Sequence, residues 1–163
     1  MKKLIINPWI CTGCKACEIA CSFAHEKKFN PRLARIRVTK MEEVGIDYPI
    51  TCRQCRDAPC VASCPVNALT MSNEKTILVD EEKCIRCGMC AEACPFGAIT
   101  LHPEDGLPLI CDLCGGNPAC VKRCAVKAIT YKDVDVAIQL KRDALVKVYS
   151  KPILKAWGIA SST

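Results

Sequence analysis

Sixteen of the 163 residues are cysteine, and they fall into four sets of four with none left over. The first is Cys11, Cys14, Cys17 and Cys21, spaced C-x2-C-x2-C-x3-C. The second is Cys52, Cys55, Cys60 and Cys64, with a four-residue middle gap and Pro65 after it. The third, Cys84, Cys87, Cys90 and Cys94, returns to the first spacing and is followed by Pro95. The fourth is Cys111, Cys114, Cys120 and Cys124, with a five-residue middle gap and Ala125 where the inner sets have proline. Thiols at this density can form disulfides, hold zinc, or hold iron–sulfur clusters.

The spacing separates these chemistries. Three cysteines within seven residues curl a loop around one compact group, presenting three thiolates while backbone N–H groups face inward. The third and fourth cysteines are four residues apart, which on a helical stretch puts them on one face a turn apart. A C-x2-C-x2-C-x3-C-P run suits a [4Fe–4S] cluster, and in two-cluster ferredoxins its last cysteine ligates the other cluster. Zinc sites usually join two cysteine pairs across a dozen or more residues, and that pattern is missing here. The N-terminus has Lys2 and Lys3 but no apolar stretch of signal type and no cleavage site. A cytoplasmic, reducing setting is therefore expected, where disulfides are disfavoured. Four [4Fe–4S] clusters, ligated by all sixteen cysteines, are the expectation.

The positioning elements follow from a repeat. Cys60, Cys90 and Cys120 are thirty residues apart, as are Cys64, Cys94 and Cys124. The period continues through Ala68-Leu69-Thr70, Ala98-Ile99-Thr100 and Ala128-Ile129-Thr130, so one small unit recurs at least three times. Residues 68–71 and 76–79 flank a polar turn at 72–75 and read as a hairpin. Residues 99–101 and 107–110 flank 102–106 in the same way. Aromatics make up 5% of the chain, too few for an ordinary core, so bound metal must supply much of the cohesion. The fold class is α+β, short strands and helices wrapped on inorganic groups.

Charge points the same way. The formal net charge is +6, but each oxidised cluster with four thiolates carries about −2, so four would bring the holoprotein to about −2. The basicity then serves as counter-charge. No basic run with interleaved aromatics argues for nucleic acid, and no apolar run is long enough to span a membrane. No nucleophile–base pair, phosphate loop or paired carboxylates appear. The expectation is a non-catalytic electron carrier. His25 and His102 read as surface residues. Lys15, Arg53, Arg56 and Arg86 adjoin ligands, and Arg35 and Arg37 read as one face of a solvated edge strand. In the tail, Ala137, Leu140, Ala144 and Val148 recur at helical spacing up to Lys151-Pro152, and Trp157 lies in an apolar stub suited to a groove on a partner.

The segment Cys52-Arg-Gln-Cys55-Arg-Asp-Ala-Pro-Cys60-Val-Ala-Ser-Cys64-Pro65, with the order of all four sets across residues 1–130, resembles the four-cluster ferredoxin-like electron-transfer subunits. These accompany molybdenum or tungsten pterin oxidoreductases of the dimethyl sulfoxide reductase and formate dehydrogenase type. The short length and the tail are most similar to the subunit paired with tungsten aldehyde oxidoreductases. Spacing alone leaves open whether neighbouring sets or nested sets exchange their fourth cysteine. The resemblance implies nested exchange. Cys11, Cys14 and Cys17 then go with Cys124, and Cys111, Cys114 and Cys120 with Cys21. Cys52, Cys55 and Cys60 take Cys94, while Cys84, Cys87 and Cys90 take Cys64.

It further implies a tandem two-lobed fold. Residues 1–50 and 106–130 would form the outer lobe, 51–105 the inner lobe, and 131–163 a C-terminal helix and docking tail. The implied partners are a tungsten- or molybdenum-pterin catalytic subunit and a flavoprotein or soluble ferredoxin, with self-association as a way to extend the cluster chain. A free-standing polyferredoxin and a zinc-stabilised interaction module are the rival readings.

Overall fold

The computed structural model describes residues 2–133 and 135. Eight short strands and four helices alternate with the cysteine loops. Strand β1 (Lys2–Ile6) leads to helix α1 (Ala16–Glu26), then β2 (Ile36–Met41) and β3 (Ile46–Thr51). Helix α2 (Pro59–Ala62) precedes β4 (Leu69–Met71) and β5 (Ile77–Val79). Helix α3 (Met89–Glu92) precedes β6 (Thr100–Leu101) and β7 (Pro108–Leu109), and α4 (Ala119–Arg123) precedes β8 (Ile129–Asp133).

Four antiparallel two-stranded sheets result. Three are hairpins between sequence neighbours: β2 with β3, β4 with β5, and β6 with β7. The two hairpins expected at residues 68–79 and 99–110 are both present. The fourth sheet joins the two ends of the described chain, with Ile6 opposite Ile129 and Lys2 opposite Asp133. The third copy of the Ala-aliphatic-Thr repeat therefore finds its strand partner far away in sequence. Helix α1 packs on α4, and α2 packs on α3. The helices that carry the first and last cysteine sets are thus brought together, as are those of the middle two.

The segment 35–38 reads as a strand edge, and the structure makes it part of a hairpin docked on α1. Glu18, only 3% exposed, accepts a 2.6 Å hydrogen bond from the Val38 amide. That amide therefore points away from β3, where Val38 faces Pro49. A proline inside a strand is tolerated where no ladder N–H is required of it. Arg35 and Arg37 do not form a solvated face. Arg37 reaches back to the carbonyls of Pro31 and Arg32, and Arg35 binds Asp112 at 3.1 Å. Both guanidinium groups found carbonyl or carboxylate acceptors in the tertiary fold that local alternation could not reveal.

The buried core mixes cysteines with aliphatic residues such as Leu4, Leu33, Ile36, Leu69, Ile77, Ile110 and Ile129, and among the described residues it contains no aromatic ring. Strand β8 runs to Asp133, so residues 131–133 are strand. The expected helix around Ala137 to Val148 and the Trp157 stub lie outside the described residues.

Candidate iron–sulfur ligand sets

Each cysteine loop turns by the same device. In each set the residue just before the second cysteine has a left-handed backbone: Gly13 (φ 61), Gln54 (φ 49), Arg86 (φ 59) and Leu113 (φ 60). Alternating the hand of successive residues swings neighbouring N–H groups to one side and makes a concavity for an anion. The third cysteine of each set then lies in a helix: Cys17 in α1, Cys60 in α2, Cys90 in α3 and Cys120 in α4.

The fourth cysteines differ from simple i, i+4 expectation. Cys21 shares α1 with Cys17, but Cys64, Cys94 and Cys124 sit just beyond their short helices. Residues before proline avoid the helical region, which accounts for Cys64 and Cys94. Cys124 reaches the same place without proline, capping α4 in an extended conformation. Three residues on, Asn67, Gly97 and Lys127 have φ of 51, 56 and 57, and each donates its amide to the carbonyl of the preceding cysteine at 3.2–3.3 Å. The thirty-residue repeat is therefore conformational as well as sequential, and Ala125 changes nothing in it.

Backbone amides face the sulfurs. Ala68 N–H donates to Cys64 Sγ at 3.2 Å, Ala98 to Cys94 Sγ at 3.4 Å, and Arg35 to Cys21 Sγ at 3.2 Å. Burial works against the Cys64 thiolate, yet the amides of Leu69, Val66, Ala68 and Asn67 hold that thiol below its ordinary value. Other cysteines are pushed the opposite way. Burial raises Cys17 to about 12, with Glu18 adding to it. Burial also raises Cys52 to about 12, opposed by the Gln54 amide and reinforced by Cys111, Cys60 and Cys55. Cys120 is raised by burial and then by Cys111, Cys21, Cys114 and Cys17 together. Crowded, buried thiols of this kind are poor thiolates on their own, and a bound cationic core is what would make the deprotonated form favourable.

Distance in sequence does not predict which thiols meet. A cavity is lined by Cys84, Cys87, Cys90 and Cys64 together. Cys60 is raised by burial, with Cys94 the first thiol to add to it. Cys111 is raised to about 11 by burial, with Cys21 acting on it. All sixteen thiols are free of disulfides, so the residues present fit sulfur ligation of metal clusters. Cys14 and Cys87 are exposed.

Both histidines were expected at the surface, and neither side chain is there: they are 12% and 13% exposed. His102 turns inward onto the 102–106 loop, where Nδ1 meets Asp105 at 3.1 Å. His25 lies one turn after Cys21 on α1. Its Nδ1 donates to the Cys21 carbonyl at 2.9 Å and its Nε2 to Asp112 Oδ1 at 3.0 Å. Two donated bonds require the imidazolium, and Asp112 first, then Cys114 and Cys21, raise His25 to about 12. Asp112, although burial opposes ionisation, is lowered to about 2 by His25, the Cys114 amide and Arg35. His25 also holds the Cys114 thiol below its ordinary value against burial.

This Arg35–Asp112–His25 chain beside Cys21 and Cys114 was not read from the sequence. The available signals were the i, i+4 relation of Cys21 to His25 and the adjacency of Asp112 to Cys111. Of the cations flagged beside ligands, Arg53 donates to Tyr48 Oη at 2.8 Å and lies 5.7 Å over the Phe96 ring.

Comparison with known proteins agrees with this geometry. A 4Fe-4S binding domain matches residues 77–100, and a second 4Fe-4S binding domain matches residues 10–24. Two segments of the chain are therefore similar to 4Fe-4S binding domains. It is similar to the "Aliphatic sulfonate oxidoreductase, polyferredoxin-like subunit" of Pyrococcus furiosus, at 49% identity over 52% of this chain and 49% of that one. It is also similar to "Formate hydrogenlyase subunit 2" of Escherichia coli, at 36% identity over 52% of this chain and 40% of that protein. The chain thus spans half or less of the length of these relatives. Among solved structures, a chain of the "Active site complex BamBC of Benzoyl Coenzyme A reductase in complex with Benzoyl-CoA" covers 98% of each chain at 26% identity, with a TM-score of 0.51. Among the described residues no helix is long and apolar enough to cross a membrane.

Proposed function

We propose that this chain is a non-catalytic, cytoplasmic electron-transfer subunit that holds four [4Fe–4S] clusters and relays single electrons. The partners would be a tungsten- or molybdenum-pterin catalytic subunit, of aldehyde oxidoreductase type, and a second redox protein. The observation that carries the reading is the cavity where Cys64 joins Cys84, Cys87 and Cys90. Cys94 adding to the raised Cys60 thiol, and Cys21 to the raised Cys111 thiol, supports the nested exchange for two further sets. The remaining set, Cys11, Cys14, Cys17 and Cys124, follows by the packing of α1 on α4.

In this reading residues 1–50 and 106–130, extended by the rest of β8, form an outer lobe, and residues 51–105 form an inner one. Bound clusters would supply reversible one-electron chemistry. The protein's part is to hold the thiolates, aim amides at them, and exclude water from all but a few. Cys14 and Cys87 are the exposed ligands. Trp9 and Ile10 are exposed near the first in sequence, and Ile85 and Met89 near the second. These two faces are where a partner's redox group would approach. The relatives' names, an oxidoreductase subunit and a formate hydrogenlyase subunit, support membership of a complex. The pterin partner rests on the sequence resemblance.

The test is iron and sulfide content, with spectroscopy, on protein purified without oxygen together with whatever stays bound. Iron near 16 per chain, about four for each of four clusters, is expected with tungsten or molybdenum co-eluting. The same iron in a free monomer would favour the standalone carrier, and zinc in place of iron would end the reading. Pairing is tested by counting clusters in double variants. Cys52→Ala with Cys94→Ala should disturb one cluster, whereas Cys84→Ala with Cys94→Ala should disturb two. Two clusters disturbed by the first pair, or one by the second, would refute nested exchange.

A further inference from the structure

Gln54 occupies the left-handed position of the second cysteine loop, where the other loops carry Gly13, Arg86 and Leu113. Unlike an ordinary glutamine it is buried, with 3% exposure. Both ends of its carboxamide are engaged: Nε2 donates to the Cys111 carbonyl at 2.5 Å, and Oε1 accepts from the Ile77 amide at 3.2 Å. Its backbone N–H lies 3.5 Å from Cys52 Sγ. Its carbonyl, with that of Arg53, accepts from the Lys3 ammonium at 2.9 and 3.2 Å. One residue therefore touches ligand residues of two different sets, Cys52 and Cys111, and Cys111 lies close enough to add to the raised Cys52 thiol. The amide is oriented. Its positive N–H end points at the Cys111 loop and its oxygen points away, to Ile77.

We infer that Gln54 is the positioning residue of the junction between the Cys52 and Cys111 sets, locking the two loops together and biasing the Cys111 set toward its reduced form. A bland alternative is that the glutamine only satisfies two buried backbone groups. The two differ in consequence. A donor held on the carbonyl of a ligand residue offsets that carbonyl's negative end beside the set and so favours added negative charge there, and removing it makes that one centre harder to reduce. Mere satisfaction of backbone groups would affect stability alone. The inference rests on the four-cluster reading above, and the experiment keeps the two apart.

Gln54→Leu is the suitable variant, because Leu113 holds the same left-handed conformation in the fourth set and so the backbone accepts leucine. Gln54→Gly is the second, since glycine is free at positive φ and leaves room for the loop if leucine overpacks. Holoprotein of each variant is titrated potentiometrically without oxygen and followed by EPR, with iron determined on the same samples. Cys114→Ala marks which signal belongs to the Cys111 set.

With iron content unchanged, the signal missing in Cys114→Ala should move to more negative potential in both Gln54 variants, while the other three stay in place. Four unmoved potentials at full iron, a shift confined to a different signal, or loss of iron from both variants without a selective shift would overturn the inference. If wild-type protein does not hold four clusters, or if Cys114→Ala and Cys21→Ala remove different signals, the four-cluster nested reading itself fails instead.

Discussion

Gly13 offers a direct test of how the first loop is held. Its φ of +61 is shared by Gln54, Arg86 and Leu113, so the backbone conformation alone does not require glycine. Space does. A methyl group built there would stand 2.4 Å from Asp47 Oδ2 and 2.5 Å from its Cγ, about 1 Å inside ordinary contact. Asp47 is the far end of a short side chain on β3, and it can swing away only by abandoning Lys40, 3.9 Å distant. The left-handed conformation costs a non-glycine residue about 1–2 kcal/mol. A partly exposed ion pair adds up to about 1 kcal/mol. Gly13→Ala should therefore destabilise the loaded protein by about 2–3 kcal/mol, on the order of a hundredfold in equilibrium terms.

The assay is guanidinium unfolding without oxygen, with visible absorbance and far-ultraviolet circular dichroism read on the same sample. Midpoints are compared at fixed conditions because metal loss and unfolding are linked. The decisive control is Asp47→Ala. In that background the obstruction is gone, and Gly13→Ala should cost only about 1–2 kcal/mol, leaving a coupling of about 1 kcal/mol. Equal costs in the two backgrounds would refute the argument that Asp47 is what demands glycine.

The Glu18–Val38 bond makes a second case. Glu18→Ala leaves a buried amide without an acceptor and should lower stability by about 1–3 kcal/mol, while Glu18→Gln, which keeps an oxygen at that place, should lose less; equal losses in the same unfolding assay would count against the bond. Iron removal is the third. Because the core among the described residues is part cysteine and holds no buried aromatic ring, stripping iron with a chelator under reducing conditions should abolish the sharp unfolding transition and most tertiary dispersion in NMR spectra. A cooperative apo-protein transition would mean that the aliphatic core suffices.

What the sequence determined by itself was chemistry and local form. Sixteen cysteines in four complete quartets set out the candidate ligands, because closely spaced thiols constrain a loop before any packing exists. The thirty-residue repeat located two of the three hairpins, since alternation and polar turns are local signals. Which strand pairs with β1, and which thiols come together, are long-range matters. The third copy of the repeat has the same Ala-aliphatic-Thr pattern as the others, yet its strand pairs with residues 2–6 at the far end of the described chain.

Spacing left open which sets share a cysteine, and the tertiary structure brings Cys64 to one cavity with Cys84, Cys87 and Cys90. The same holds for Arg35, Asp112 and His25. Each reads as a surface charge in its own segment, and each is drawn inward by a partner more than seventy residues away. Gln54 is the clearest instance. In sequence it is one polar residue between two ligands, and only the fold brings the Cys111 carbonyl and the Ile77 amide to its two ends. Local spacing decides what a segment can bind, whereas charge burial and hydrogen-bond satisfaction between distant segments decide what sits next to it.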